Sequence, residues 1–371
     1  MKFSVKRDIL LKSLNLVQGV IEKKNTLPIL SNVLLDVKKD KIIIVATDLD
    51  LIFYEEINDV TIEQEGSTTT SAAILYDILR KVSANSELVF DLKSENKLSV
   101  KVENSNFNLL CLPTDNFPNF SDDFESQEII INKSKLLSLL NKTKISISND
   151  DTRHYLNGIY LHATETKGKS YLTAVATDSH RLSSSSIELD NLGNLNSLIL
   201  PKKTVFQLCN LLQETNGEVK IKTSDTKIMF SINKINLSSK VIDGKFPDYT
   251  KVVPSSNSKV LHVPSKDFIN SIERVTTVSI DRKEGVKLVI NKDNIKLSVN
   301  STNSGEGIEV IKANFNSNEL IISFNSKYLL DIASEVEDNK LKINLKDSIS
   351  PVLIEDMADK NSYYVIMPMK I

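Results

Sequence analysis

The strongest catalytic pattern in this 371-residue sequence is Ala176-Thr177-Asp178-Ser179-His180-Arg181-Leu182, where Asp, Ser and His stand together. Side chains two apart on an extended segment share a face, so Asp178 and His180 could meet as an acid/base pair and support hydrolysis. The segment Ala46-Thr47-Asp48-Leu49-Asp50 suggests another reading. It keeps Thr-Asp at the equivalent place without any His, as expected if the Asp bonds nearby backbone amides in a turn. That repetition favours a structural or binding role over catalysis. The four His, at 154, 162, 180 and 262, lack His-Glu-x-x-His or other ligand spacing, so no metal is expected. Gly305-Glu306-Gly307 lacks the third glycine and the strand-to-helix setting of a dinucleotide loop, and no Walker loop occurs, so no nucleotide cofactor is expected. Cys111 and Cys209 each lie in an apolar stretch and read as buried small hydrophobes, not as a disulfide or metal pair.

Lys and Arg total 46 against 48 Asp and Glu, a formal net charge of -2 that at first argues against nucleic acid. Net charge says nothing about distribution, however. Lys6, Arg7 and Lys12 accompany a first predicted helix; Lys133, Lys135, Lys142 and Lys144 accompany its second copy. Lys202 and Lys203 open another helix, and Arg80 with Lys81 end one. Taken singly these are solvated helix faces. Gathered on one inward surface, they would form a basic stripe facing phosphates. The last third fits this less well, because Lys327 and Arg274 are accompanied by Asp267, Glu273, Asp331 and Glu335.

The elements that must position these residues come in three copies. An apolar stripe at Leu10, Leu14 and Val17 recurs at Leu136 and Leu140, and again at Phe268, Ile272 and Val275. A second stripe, Leu75, Ile78, Leu79 and Val82, recurs at Val205, Leu208, Cys209 and Leu212, then at Leu329, Ile332, Ala333 and Val336. Each follows the i, i+3, i+4, i+7 spacing of one buried helix face. The repeat unit is roughly 120 to 130 residues, far beyond the period of a solenoid. Helices are predicted over Arg7–Ile21, Ser71–Val82, Ser134–Ser146, Lys202–Leu212, Ser265–Val278 and Ser326–Val336, interleaved with strands, the last over Tyr363–Met369. The fold class is α+β, three repeated domains, each with two helices against mostly antiparallel sheet. Their predicted bounds are 1–122, 128–254 and 259–371, with polar linkers near Ser121–Gln127 and Ser255–Lys259. The composition, 40% hydrophobic and 25% charged with no Trp, is that of a soluble globular protein. No apolar run approaches the ~20 residues of a membrane span, and charges break the N-terminus before a signal core, so a cytoplasmic location without membrane contact is expected.

With three α+β blocks, the Ala-Thr-Asp-Ser-His-Arg-Leu segment and the terminal Tyr363-Tyr364-Val365-Ile366-Met367-Pro368-Met369-Lys370-Ile371, the sequence resembles the β sliding clamp family of bacterial DNA polymerase III. Met1-Lys2-Phe3, Thr26-Leu27-Pro28-Ile29-Leu30, Tyr155-Leu156-Asn157-Gly158 and Asp243-Gly244-Lys245-Phe246-Pro247-Asp248-Tyr249 agree along the whole length. The resemblance implies the ring-forming DNA-clamp fold: a head-to-tail homodimer closing around duplex DNA, with outer sheets running across the subunit boundaries. It implies no enzymatic activity. Its partners would be duplex DNA, bound without regard to sequence, the catalytic subunit of the replicative DNA polymerase, the clamp loader, and other proteins with a clamp-binding motif. A scaffold that never contacts DNA is the alternative.

Carried over from the family, a pocket for partner peptides bearing Gln, Leu and an aromatic would comprise Leu156, Thr177, Ser179, His180, Arg181, Leu182, Pro247, Lys251, Val252, Asn325, Tyr328, Ile349, Pro351, Val365, Ile366, Met367, Pro368 and Met369. DNA contacts would fall on Lys24, Arg80, Arg153, His154, Tyr155, Lys202 and Lys203. At the dimer seam, Phe107 and Leu109 would meet Val278 or Ile280 of the other subunit. The chain departs from the family pattern at Ser179, where Gly is common, at Lys251 and Lys370, where Arg is common, and at Ala73 and Ile74, which replace basic residues.

Overall fold

The computed structural model describes residues 1–22, 27–118, 124, 128–190, 192, 195–279, 285–302 and 304–370. The helices expected from periodicity are present as α1 (Arg7–Val17), α2 (Ala72–Lys81), α3 (Lys133–Lys144), α4 (Lys202–Glu214), α5 (Ser265–Val275) and α6 (Ser326–Glu335). The predicted stripes face inward: Leu10, Leu14 and Val17, Leu136 and Leu140, and Phe268, Ile272 and Val275 are all buried. α1 stops at Val17 instead of running to Ile21. Gly19 is a poor helix former, and the amides of Val20 and Ile21 both close back on the Val17 carbonyl, at 2.9 and 3.2 Å. Side chains cap α2, α3 and α6, Ser71 Oγ accepting from the Ile74 amide, Asn132 Oδ1 from the Ser134 amide and Asn325 Oδ1 from the amides of Lys327 and Tyr328.

The chain divides into two compact units: Met1–Ser134, Gly193–Asn196 and Lys203–Val241 in the first, Lys135–Leu192, Ser197–Lys202 and Ile242–Ile371 in the second. Among the described residues, the first unit holds one thirteen-stranded sheet. Within it the strand Ile235–Lys240, late in the second repeat, pairs antiparallel with Leu51–Ile57 of the first, setting Leu237 opposite Phe53. The second unit holds a nine-stranded and a four-stranded sheet. Arg181–Glu188 there pairs antiparallel with Ser362–Ile366, so strands of the second repeat also join those of the third. The middle repeat thus divides its strands between the two units. Each junction satisfies backbone groups that an isolated repeat would leave open at a sheet edge.

The last strand ends at Ile366, short of the predicted Met369. Pro368 has no amide to donate to a ladder, and its neighbours turn elsewhere: the Met367 amide donates to the His180 carbonyl and that of Met369 to the Ser323 carbonyl, both at 2.8 Å. Cys111 and Cys209 are both buried, as read from their apolar settings. No described helix is long and apolar enough to cross a membrane.

Candidate partner-peptide site

The Thr177–Arg181 segment is a turn held by its own side chains. Asp178 Oδ1 accepts from the amides of His180 and Arg181 at 2.9 and 3.0 Å, and Thr177 Oγ1 donates to the Arg181 carbonyl at 2.7 Å. The second Asp178 oxygen accepts from Arg181 Nε at 3.1 Å. Both oxygens are therefore engaged with backbone and guanidinium, which overturns the acid/base pairing of Asp178 with His180. The turn is also built at residues 47–51, with no histidine: Asp48 Oδ1 takes the amides of Asp50 and Leu51 at 2.9 and 2.7 Å, and Thr47 Oγ1 donates to the Leu51 carbonyl at 2.9 Å. In each turn a non-glycine residue sits in the left-handed region, Leu49 at φ 82 and Ser179 at φ 75.

In the second unit this turn forms one side of a cavity of about 260 Å³. Leu156, Thr177, Ser179, His180, Arg181, Leu182, Pro247, Val252, Val365 and Met367 line it as the sequence comparison implied, together with Asp248 and Tyr249. The last two follow Pro247 in the quoted Phe-Pro-Asp-Tyr segment, and that adjacency was the signal for them. Gly158 sets the approach of the Tyr155-Leu156-Asn157 turn, since a Cβ there would stand 2.2 Å from the Leu200 carbonyl oxygen. Behind the wall, Tyr160 lies between His162 and Phe246, with ring centroids 4.6 and 4.9 Å away. His162 Nε2 is 3.1 Å from the Tyr249 hydroxyl. Burial pushes His162 below the ordinary imidazole value, and burial, followed by the neighbouring Tyr363, pushes Tyr249 up to about 12.

Arg181 is the charged anchor of the site. Its side chain is only 7% exposed, its Nη1 lies 2.6 Å from Asp331 Oδ2, and its guanidinium carbon sits 4.2 Å from the Tyr328 ring centre. Tyr328 thus supports the wall from below the lining, as a cation–π partner. The other expected residues have different settings. Lys251 points outward and pairs with Asp248 at 3.2 Å; Asn325 is occupied capping α6; Ile366 is buried in the core. Ile349 is 69% and Met369 39% exposed, and the Pro351 carbonyl accepts from Asn257. Pro368 follows the cavity wall at Met367 without lining it.

Family models match the chain in three successive segments: the N-terminal domain of the DNA polymerase III beta subunit over residues 1–121, its central domain over 130–248 and its C-terminal domain over 250–370. The chain belongs to the DNA polymerase III beta subunit family. Its function is that of a DNA sliding clamp, a processivity factor of DNA replication. The beta sliding clamp of Caulobacter vibrioides is 34% identical, and that of Escherichia coli K12 32%, each alignment covering 100% of both chains. Among solved structures, the sliding clamp of Bartonella birtlesii bound to griselimycin is 39% identical, with a TM-score of 0.95 and 100% of both chains covered. A scaffold that never meets DNA is not favoured by these relatives.

Of the clamp residues expected to meet DNA, Lys24 lies outside the described residues. Arg153, His154 and Tyr155 share the 3₁₀ turn Asp151–Leu156, and Lys202 reaches the same region through a hydrogen bond to Asn149. Arg153 donates to Asp150 at 2.9 Å and to Ser179 Oγ at 2.6 Å, so it touches the turn that lines the cavity as well. In the first unit Arg80 is exposed, whereas Lys203 is held 2.5 Å from Asp48 and 2.8 Å from the Val20 carbonyl. The reading of Lys142 as part of a solvated or phosphate-facing stripe is overturned. Its side chain is 4% exposed and lies among carboxylates.

At the expected seam, Ser105–Leu112 is paired along one side but meets Gly66–Ser71 only at Leu112 and Cys111, so that, among the described residues, 105–109 form an open edge. Phe107 borders a cavity of about 460 Å³ with Ile74, Ile78, Val82 and Val102. Leu109, expected at the seam, is buried at 8% exposure, and its strand neighbour Leu110 is 83% exposed. Alternation of faces along the strand accounts for the difference in exposure. Val278 is half-buried against the core of the second unit, and Ile280 lies outside the described residues.

Proposed function

We propose that the chain closes as a head-to-tail homodimeric ring around duplex DNA, works in the cytoplasm without doing chemistry, and receives partner peptides in the cavity beneath Met367. The partners are the replicative DNA polymerase, the clamp loader and other proteins carrying the short motif. The observation that carries this reading is the cavity of about 260 Å³, a volume suited to one or two apolar side chains. Leu156, Leu182 and Val365 supply its apolar surface, and the flexible Met367 side chain, 41% exposed, can adapt to different occupants. A partner held by such a peptide on a closed ring rebinds as an intramolecular event, which is the physical basis of processivity. Arg80, Arg153 and Lys202 suit phosphate contacts, which position without carrying base information and so permit sliding.

The seam reading rests on two open strand edges. Residues 105–109 of one protomer would pair with the edge strand Gly305–Lys312 of another, where Ile308 and Val310 are 50% and 59% exposed. Strand addition of this kind hides unpaired amides and apolar side chains together. The test is sedimentation of the full chain, followed by retention on circular duplex. A dimeric mass, lost on Leu110→Lys, is expected. Ring-shaped retention requires loss from linear but not from circular DNA, and free loss from closed circles overturns it. For the cavity, a fluorescein-labelled pentapeptide carrying Gln, Leu and Phe is expected to bind the wild-type chain and not Met367→Asp.

A further inference from the structure

We propose that Lys142 is a positioning residue for partner recognition: an internal cation that pins the strand pairing on which the peptide cavity is built. The inference rests on the reading of that cavity as the partner site. Arg181–Glu188 and Ser362–Ile366 pair from Arg181↔Ile366 to Ser185↔Ser362. The cavity lies at the first end, where the Met367 amide donates to the His180 carbonyl. At the other end Ser362 Oγ stands 2.8 Å from Ser185 Oγ and donates to Asp359 Oδ2 at 2.5 Å. Lys142 reaches this end from α3, with Nζ 2.8 Å from Asp359 Oδ2, 2.8 Å from Glu337 Oε1 and 3.8 Å from Asp356 Oδ2.

Backbone groups hold these carboxylates in place independently of the lysine. Asp356 accepts from the amides of Glu337 and Ala358 at 3.0 and 2.9 Å, and Asp359 from that of Asn361 at 3.0 Å. Asp356 is wholly buried, and the surroundings are poor in solvent: the nearby Tyr364 hydroxyl is buried with no hydrogen-bond partner among the described residues, and burial raises Glu335 above the ordinary carboxylate range. Burial works to lower the Lys142 ammonium, but the hydrogen bonds it donates to Asp359 and Glu337 outweigh that and hold it above the ordinary lysine value.

A buried ion cluster of this kind adds little net stability over an apolar one, and its attested use is to specify register. Register is what the cavity needs, because a one-residue slip would turn Val365 and Met367 to the opposite face. The other end has the same construction. Arg181, likewise a buried cation from the second repeat, meets Asp331 of the third at 2.6 Å. The pairing is therefore pinned at both ends, and only one pin borders the peptide.

The test uses the full-length chain and the labelled pentapeptide carrying Gln, Leu and Phe. Lys142→Met should weaken binding on the order of tenfold although the side chain lies outside the cavity lining. Hydrogen exchange should accelerate at Ser183–Ser185 and Tyr363–Val365 while the first unit stays unchanged. Adding Asp359→Asn to Lys142→Met removes a stranded carboxylate and should restore part of the affinity. Glu337→Gln, which alters only the exposed ligand of the cluster, keeps the test open if Lys142→Met does not fold, and should give a smaller loss in the same direction. Unchanged affinity in Lys142→Met, or exchange that rises uniformly along the chain, overturns the proposal. If the wild-type chain fails to bind the peptide, the cavity reading falls, and unchanged exchange at the strand pair then overturns the pin separately.

Discussion

The turns at residues 47–51 and 177–181 share one backbone and one pair of Thr and Asp side chains, and the second lines the cavity proposed for partner peptides. The spare oxygen of the aspartate marks the difference. In the first unit Asp48 Oδ2 receives Lys203 from α4 at 2.5 Å, and the turn serves as an anchor for a helix. In the second unit Asp178 Oδ2 receives Arg181 of its own turn, whose guanidinium continues to Asp331 and lies over Tyr328. The repeat thus supplies a rigid turn, and three replaced side chains convert an internal anchor into a wall. Duplication provides the frame cheaply, since the Thr–Asp bonds are local and do not depend on what surrounds them.

The comparison breaks most sharply at Arg181. Arg181→Met strands Asp178 and Asp331, and a loss of about 3–5 kcal/mol is expected in urea unfolding, with peptide binding abolished. A loss below about 1 kcal/mol would show that the cation is dispensable to the turn. Asp48→Asn keeps the amide-accepting oxygen and removes the charge opposite Lys203. It should cost about 1–2 kcal/mol and leave peptide affinity unchanged; a weakened affinity would mean that the two turns are not functionally distinct. Smaller again is relief of the left-handed residues. Leu49→Gly and Ser179→Gly should each stabilise by about 0.5 kcal/mol, since the steric cost of that conformation is offset in part by a freer unfolded chain. Only Ser179→Gly should alter peptide binding, because it alone releases Arg153.

The gentlest probe is pH. His162 is depressed below 6.5 by burial, so between its folded value and 6.5 the unfolded chain binds more protons. Stability from this group is complete above about 6.5 and declines as pH falls toward the folded value. His162→Gln should flatten that decline in urea midpoints measured across this range. An unchanged slope would remove His162 from the account of the cavity wall.

Much of the candidate site was legible because its signals are local. The Thr–Asp repetition correctly favoured a turn over a catalytic pair, and the helix stripes named the buried faces of α1, α3 and α5. Helix ends were less legible where a buried tail continues the apolar pattern, as Val20 and Ile21 do after α1 has stopped. Leu109 and Leu110 differ only in which face of a strand they occupy, and pairing alone settles that.

Residue types and spacing by themselves determined the three repeats, the helices and the Asp-centred turns, because each rests on contacts within a few residues of chain. Tertiary structure decided the rest. The middle repeat shares its strands between two units because open sheet edges find partners wherever they lie in sequence. Lys142 reads as one more basic residue on a helix until the fold brings Asp359, 217 positions away, within 2.8 Å. A charge is defined by its surroundings, and those surroundings come from distant parts of the chain.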